Sequence, residues 1–398
     1  MLGSAQTQTQ AGRKLPRVDE LDGLRGILAS WVAVSHILCW CGFAKVALPY
    51  PLGPLWPDFI LAQPAVETFI ILSGFAISFM LHARKESYGA FMRGRFFRIY
   101  PTYLLCLLLG LATIHLIPVI VRDAPWRDTP YFYLVRSTSE SERAHPILHT
   151  LCHLTLLNGL VPRSVLFNAT GTLLPPAWSI TLEWQYYLLA PFLARAVRSG
   201  AWLVVLSVVS YLGIQFSGHW QNPHSSFLPA QLPLFLVGIG SFHLYAHFSN
   251  TAAGRSAKFS VPVAALLAGA ILLSWHSIAL AAWGLAFGCV FVEGPGLFGR
   301  ALCALRRFLL HPWLQRLGKI SYPLYLVHWP IIIAWMFLLL RWKPAATPAE
   351  AAVWMFLFAA PTILLAAVLL HKFVETPAMK LGKGFKAQGM ESAGEKLA

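Results

Sequence analysis

Long apolar runs, separated by shorter polar segments, recur along the chain. About 20 apolar residues suffice for a helix to cross the hydrocarbon core of a bilayer. About ten runs approach this length, so we predict an all-α polytopic membrane bundle of about ten transmembrane helices. The predicted spans are Ile27–Phe43, Leu61–Leu81, Ile99–Ile120, Trp178–Ala194, Ala201–Phe216, Leu228–Ala246, Val261–Trp275, Ile278–Val292, Tyr322–Leu340 and Ala351–Leu370.

These spans predict the domain organisation. They leave an N-terminal segment (1–25), a membrane domain (26–378) and a Lys- and Gly-rich tail (379–398) that we expect to be disordered. The longest predicted loop, 121–177, lies opposite the termini, because an even number of spans puts both termini on one side. Most Lys and Arg residues fall on the side of the termini, which predicts cytoplasmic termini in a plasma (bacterial inner) membrane.

Composition supports this class of protein. The chain of 398 residues is 57% hydrophobic and only 12% charged, which excludes an ordinary soluble domain. The net charge of +15 is better explained by membrane topology and anionic headgroups than by nucleic-acid binding. The 6 cysteines show no disulfide or CxxC pattern.

A polar stripe lies on the first predicted span. Arg25 and His36 are about three helical turns apart, so both lie on one helix face. The rise along the helix puts His36 about 16 Å beyond Arg25, near the bilayer midplane. Asp22 is one turn before Arg25, and we expect the two to pair. Taken alone, Arg25 is better explained as a topology anchor and His36 as a helix-packing group, but the two share a helix face at a depth where polar groups usually face a cavity or a partner.

Three further spans carry polar side chains at helical spacing. The stripes are Glu67, Gly74 and Ser78 on the second span, Ser179, Glu183 and Tyr187 on the fourth, and Ser321, Tyr325 and His328 on the ninth. Polar groups at membrane depth require partners, and one internal cavity satisfies all of them together. We therefore favour one shared cavity over separate packing roles.

A basic motif, RGRFFRIYP, precedes the third span. It puts Arg93, Arg95 and Arg98 next to Pro101, which we expect at the N-terminus of that helix. Helix N-termini and arginine forks both favour phosphate, although ordinary topology anchors form the same pattern. Together with Arg25, the motif predicts a phosphate-bearing ligand that enters from the cytoplasm.

The long loop contains three histidines, His145, His149 and His153, at helical spacing. Such spacing suits a metal ion, but neither an HExxH glutamate nor paired carboxylates accompany them. We therefore predict an interfacial helix there and no metal site.

Taken in order, the motifs resemble the integral-membrane acyltransferase family 3. LDGLRG leads into an Arg-x10-His pair, and FIILSGFAIS, RFFRIYP, WSITLEWQYYL, LGKISYPLYLVHWP and FVETP follow. The order agrees from Leu21 to Pro377. Glu67 is a departure, since many members have aspartate at this position.

The resemblance implies transfer of an acyl group, most often acetyl, from acyl-CoA to a hydroxyl of a sugar, polysaccharide or lipid-linked glycan. Acyl-CoA would then be a donor substrate, with no permanently bound cofactor. By motif, the Arg-x10-His pair falls on Arg25 and His36, Arg-x-x-Arg on Arg95 and Arg98, and Trp-Ser…Glu on Trp178, Ser179 and Glu183.

The resemblance and the stripes together give each residue an expected role. His36 would be the general base, with Glu183 or Glu67 orienting its imidazole or binding the acceptor, and an acyl-histidine intermediate stays open. Arg25, Arg95 and Arg98 would bind the phosphates of CoA. The expected supporting residues are Asp22, Trp178, Ser179, Tyr187, Ser321, Tyr325 and His328.

Two other classes of protein remain. A transporter or flippase for a glycan or an anion would use the same polar cavity, but we find no repeated halves or paired broken helices. A non-catalytic membrane sensor would bind CoA without turning it over. The sequence does not identify the acceptor.

Overall fold

A computed structural model describes residues 15–45, 60, 62–84, 86–220, 226–249, 278–291 and 296–383. Over these ranges the secondary structure is helical and contains no strand, which confirms the all-α prediction. The helices are α1 (Glu20–Trp40), α2 (Gln63–Ala83), α3 (Tyr88–Thr113), α4 (Ile117–Asp123), α5 (Pro130–Ala144), α6 (Pro146–Leu154), α7 (Trp178–Ala196), α8 (Gly200–Trp220), α9 (Leu228–Ser249), α10 (Ile278–Gly288), α11 (Leu297–Leu309), α12 (Pro312–Lys319), α13 (Ser321–Trp342), α14 (Pro348–Trp354) and α15 (Ala360–Leu370).

The helices form a polytopic bundle. Among the described residues, 6 helices are long and apolar enough to cross a membrane, and two shorter apolar helices accompany them. Every predicted span that falls within the described ranges coincides with a helix. The predicted span Val261–Trp275 lies outside those ranges.

Two helices begin earlier than the hydropathy pattern predicts. Helix α1 begins at Glu20, so Arg25 lies inside it. Helix α3 begins at Tyr88, after Ser87, whose Oγ accepts a hydrogen bond from the backbone N–H of Ala90. The prediction that Pro101 marks the helix N-terminus is therefore wrong, because Pro101 lies inside α3.

The C-terminal helix also runs further than expected. Helices α14 and α15 are joined by a π-helical turn at Met355–Ala359, and a second such turn at His371–Glu375 follows α15. The helical segment continues to Lys383, so the predicted tail from residue 379 begins with helix. Residues 384–398 lie outside the described ranges.

Helices α1 and α13 position the interior of the bundle. Helix α1 packs against α2, α12 and α13, while α13 also packs against α3 and α15. Helix α2 packs closely on α9. Residues on α1, α2, α3, α7 and α13 therefore face a common interior.

Close contact between α2 and α9 depends on glycine. A Cβ atom on Gly238 would lie 2.0 Å from the carbonyl oxygen of Ile71, and one on Gly74 would lie 2.4 Å from the carbonyl oxygen of Phe235. Ser78 donates a hydrogen bond to the carbonyl of Gly74, 2.8 Å away. Gly74 is therefore part of a helix contact, Ser78 bonds within its own helix, and neither residue is in the described lining of the two interior cavities, contrary to the expectation that they face one.

Residues 121–177 form a cap of short helices, α5 and α6, and 3-10 turns. His149 and His153 are buried in this cap, where Nδ1 of His149 and Nε2 of His153 lie 3.1 and 3.2 Å from Oγ1 of Thr172. Burial lowers the pKa of each imidazole to about 4. His145 is exposed at the start of α6. The three histidines therefore do not converge on one site. His149 and His153 instead stabilise the cap through their contacts with Thr172.

Helices α11 and α12 were not predicted from the sequence. With 13 and 8 residues they are too short to cross a membrane. Each exposes large apolar side chains, among them Leu297 and Trp313, beside basic residues such as Arg316. This amphipathic pattern is typical of helices that lie along a membrane surface.

Candidate functional site

Two cavities, each of about 150 Å³, lie in the interior. The first, which we name the arginine cavity, is lined by Arg25, Phe69, Ile70, Leu72, Ser73, Ala76, Ile77, Arg95, Arg98, Ile99, Ser179, Ile180, Glu183, Tyr187, Phe235, Ser321, Tyr322 and Tyr325. It combines side chains from α1, α2, α3, α7, α9 and α13. Three of the predicted polar stripes therefore meet there: those with Arg25, Ser179 and Ser321.

The second, the histidine cavity, lies further along α1. Its polar lining residues include His36, Gln63, Thr138, Ser139, Glu142, Asn168, Thr170 and Thr172, and its aromatic ones are Tyr131, Trp178, Tyr325 and Trp329. The cap supplies much of this lining. The prediction of one shared cavity is therefore corrected to two, because Arg25 and His36 are separated by about 16 Å of helix.

Tyr325 lines both cavities. Its hydroxyl lies 2.9 Å from Oγ of Ser179, and its ring meets that of Phe69 edge-on, with the centroids 5.9 Å apart. Ser179 lines the arginine cavity, and its neighbour Trp178 lines the histidine cavity. The Ser179–Tyr325 contact therefore marks the junction of the two cavities.

The arginine cavity is rich in positive charge. Arg25, Arg95 and Arg98 line it, and Glu183 is the one carboxylate that its described lining contains. The Nε of Arg95 is buried and has no hydrogen-bond partner among the described residues. Arg25 has a long contact to Asp22, 3.5 Å, which confirms the expected pairing. Three guanidinium groups facing one carboxylate suit an anionic ligand.

Arg98 differs from the other two arginines. Its guanidinium pairs with the carboxylate of Glu375, which is completely buried and lies in the FVETP motif. Nδ1 of His371 lies 2.6 Å from the other oxygen of Glu375. The guanidinium of Arg98 also lies over the ring of Tyr322, 5.8 Å from its centroid. Arg98 therefore joins the end of the helical bundle to the cavity wall.

Glu183 belongs to the arginine cavity. Its carboxylate accepts hydrogen bonds from Ser73, at 3.0 Å, and from the hydroxyl of Tyr187. The guanidinium of Arg95 lies over the ring of Tyr187, 5.6 Å from its centroid. Glu183 is therefore part of a hydrogen-bond network on the wall of the arginine cavity. The structure does not bring it to the imidazole of His36.

His36 lies against a second histidine. Its Nδ1 is 2.9 Å from Nε2 of His328, and the two rings are inclined by only 13°. Nδ1 of His328 lies 3.2 Å from the carbonyl oxygen of Leu324. The indole of Trp329 packs on the ring of His36 at 86°. His328, which was expected to give general support, thus contacts the candidate base directly.

The remaining candidates occupy other positions. Gln63 donates a hydrogen bond to Glu67, 3.2 Å away, and Glu67 is absent from the described lining of both cavities. Asp22 accepts from Arg17 as well as from Arg25. Ser321 and Tyr187 line the arginine cavity as their helical spacing predicts.

Sequence patterns missed one charged residue of the histidine cavity. Glu142 on α5 is only 7% exposed and lines that cavity. Burial raises the pKa of its carboxyl group. Nothing in the sequence indicated that Glu142 would line a cavity, because this residue lies in a loop that was predicted only to be outside the membrane. The neighbouring Ser139 Oγ is buried and has no hydrogen-bond partner within the described ranges.

Sequence comparison relates the chain to known proteins. A sequence model of the family Acyl_transf_3, described as "Acyltransferase domain", matches residues 18–372. The chain is 25% identical over 401 residues to "Acyltransferase MdmB" of Streptomyces mycarofaciens, covering 92% of this chain and 93% of that protein. It is 29% identical over 167 residues to "Protein 2 in picA locus" of Rhizobium radiobacter, covering 41% of this chain and 75% of that protein. No solved structure matches.

The fold and the site define a membrane-embedded enzyme with a polar interior. The chain belongs to the acyltransferase 3 family, whose sequence model covers nearly all of it, and it is an acyltransferase of groups other than aminoacyl groups.

Proposed function

We propose that the protein transfers an acyl group, acetyl in its natural reaction, from cytosolic acyl-CoA to a hydroxyl of a sugar, polysaccharide or lipid-linked glycan. The observation that supports this most is the pair of cavities that meet at Tyr325, one lined by arginines and the other containing His36. A transfer between two different substrates requires room for both of them beside one reacting group.

The arginine cavity suits the donor. The phosphates of CoA are polyanionic, and Arg25 and Arg95 offer guanidinium forks to them. The pantetheine arm then covers the rise of about 16 Å along α1 from Arg25 to His36. This direction of entry places the arginine cavity on the cytoplasmic side, in agreement with the charge bias of the sequence.

The histidine cavity suits the acceptor. Its aromatic wall, including Tyr131 and Trp178, can cover the apolar face of a sugar ring, while Glu142 and Asn168 can bind hydroxyl groups. A neutral His36 would accept the proton of the acceptor hydroxyl. An aromatic wall opposite polar groups is typical of sites that orient a polar ring.

The reaction follows from this arrangement. As the acceptor oxygen attacks the thioester carbonyl, its proton passes to His36. The new C–O bond forms, the C–S bond breaks, and the proton passes from His36 to the leaving thiolate, which leaves as CoA thiol. An acyl-histidine intermediate would use the same imidazole as nucleophile.

An assay with the purified protein in nanodiscs tests the proposal. The protein is supplied with acetyl-CoA that carries a label in its acetyl group and with a membrane glycan extract. We expect release of CoA thiol together with label on the glycan. Movement of glycan across the bilayer without consumption of acetyl-CoA would instead identify a transporter. Binding of acetyl-CoA without thiol release would identify a sensor.

A further inference from the structure

The contact between His36 and His328 is an in-plane hydrogen bond. Face-to-face stacked rings lie about 3.5 Å apart, the optimal separation of carbon atoms. The separation of 2.9 Å between Nδ1 of His36 and Nε2 of His328 is shorter than that, while the rings are nearly parallel. The two rings are therefore close to coplanar, as a hydrogen bond to a ring lone pair requires.

The carbonyl of Leu324 sets the direction of this hydrogen bond. A carbonyl oxygen only accepts, so Nδ1 of His328 must carry the hydrogen in its contact of 3.2 Å with Leu324. A neutral imidazole has one N–H, so Nε2 of His328 carries a lone pair and accepts. Nδ1 of His36 must then be the donor.

From this chain of contacts we propose that His328 is a positioning residue, which holds His36 with its proton on Nδ1 and its lone pair on Nε2. The inference rests on the proposed function, in which His36 removes the proton of the acceptor hydroxyl. A base needs its lone pair directed at that proton, and the other ring nitrogen determines which tautomer is present. His328 thus has the role that a carboxylate has in a Ser-His-Asp triad, but without a negative charge.

The surroundings keep both rings in place. His328 is completely buried, and Trp329 packs edge-on against His36 with the ring centroids 5.5 Å apart. Trp40, also completely buried, packs on Trp329 in turn. Rotation of the His36 ring would break the hydrogen bond to His328 and displace this packing.

Kinetics of His328 variants in nanodiscs provide one test, with acetyl-CoA as the probe and water as the acceptor. His328→Ala should lower kcat of acetyl-CoA hydrolysis about 10²-fold or more, because the tautomer of His36 is no longer fixed. The KM for acetyl-CoA should stay unchanged, since the phosphates bind in the arginine cavity. His328→Gln should recover part of kcat, because its amide oxygen accepts from Nδ1 of His36.

His115→Gln is the matched control, since it removes an exposed imidazole that lines neither cavity. It should leave both kinetic constants unchanged. Wild-type kcat in a folded His328→Ala protein would overturn the inference, as would a glutamine variant that loses as much activity as the alanine variant.

Nitrogen-15 NMR of histidine-labelled protein tests the tautomer directly, even if His328→Ala does not fold. The His36 signals are those that disappear in His36→Gln. We expect a protonated Nδ1 and an unprotonated Nε2 in the wild type. A proton on Nε2 of His36 would overturn the inference.

The two proposals fail in distinguishable ways. Absence of acetyl-CoA turnover in the wild-type protein would refute the proposed function. Loss of turnover in His36→Ala, combined with normal turnover in His328→Ala, would refute only the positioning role of His328.

Discussion

The hydroxyl groups of Ser179 and Tyr325 lie 2.9 Å apart, where the arginine cavity meets the histidine cavity. These residues belong to helices α7 and α13, which are far apart in the sequence. In the proposed function, the thioester extends from the arginines toward His36 past this pair, because Tyr325 lines both cavities. The contact then marks the place where the two cavities adjoin.

A larger side chain at this junction should obstruct the thioester. We expect Ser179→Leu to lower kcat of acetyl-CoA turnover about 10-fold or more, because displacing the reacting atoms by about 1 Å is enough for such losses. Ser179→Ala is the matched control, since it removes the hydroxyl and adds no bulk. Steady-state kinetics of the two variants checks the prediction. Equal rates in Ser179→Leu and wild type would place the passage elsewhere.

Arg95 should act on the donor alone. Arg95→Ala removes a guanidinium that lines the arginine cavity, so we expect the KM for acetyl-CoA to rise about 10-fold. Arg95→Lys should recover only part of this, since a point charge does not reproduce a planar fork. Kinetics with varied acetyl-CoA measures both effects.

Arg93→Ala is the control for Arg95. It removes the same charge from the same helix, at a position outside the described lining of both cavities. An equal rise of the KM for acetyl-CoA in Arg93→Ala and Arg95→Ala would show that the ligand is attracted by the overall positive charge of the segment and not by Arg95 in particular. No change in either would make these arginines topology anchors only.

Arg98 should combine a binding role with a structural one. It pairs with the completely buried Glu375, and breaking a buried ion pair leaves a charge without compensation. We expect a double-mutant cycle of Arg98→Met and Glu375→Leu to give a coupling energy of about 0.5–3 kcal/mol in the free energy of unfolding. Unfolding in detergent measures it. Strict additivity of the two substitutions would contradict a structural pair.

The cap should lose stability in acid. Burial lowers the pKa of His149 and His153 to about 4 in the fold, compared with about 6.5 in the unfolded chain. Between these pH values the unfolded state binds more protons, so the stability present above pH ~6.5 is lost as the pH falls toward ~4. Proteolysis of residues 121–177 across this pH range checks the prediction.

A variant with glutamine at both His149 and His153 is the control for the pH effect. It lacks the two titrating groups and should show a weaker pH dependence of cleavage. Cleavage rates that change identically with pH in the wild type and this variant would assign the effect to other groups.

The membrane helices could be predicted because the length of an apolar run is enough to identify a membrane-spanning helix. The shared face of Arg25 and His36 also followed from helical spacing, and each residue lines a cavity in the structure. Helical spacing describes only one helix, however. It could not show that α1 and α13 are neighbours, and so the contact of His36 with His328 was invisible in the sequence.

The carboxylates illustrate the same limit. Glu183 and Glu67 were the two carboxylates expected to orient the imidazole of His36 or to bind the acceptor. The structure instead holds Glu183 with Ser73 and Tyr187 in the arginine cavity, and Glu67 beside Gln63. Depth along a helix was estimated from sequence, but the direction in which each side chain faces depends on packing with other helices.

Helix ends were the least predictable feature of the fold. The charged segment before Pro101 interrupts the apolar pattern, so hydropathy places the start of α3 too late. The arginines of this segment are therefore inside a helix and not before its N-terminus. The amphipathic helices α11 and α12 were missed because they are shorter than a membrane span.

The central claim is that His36 performs the chemistry and the arginine cavity binds the donor. The measurement that tests it most directly is acetyl-CoA turnover and acetyl-CoA affinity in one preparation of folded His36→Ala protein. We predict that turnover falls about 10²–10⁴-fold, as expected for loss of a general base, while affinity for acetyl-CoA stays at the wild-type value. Wild-type turnover in the folded variant would contradict the claim.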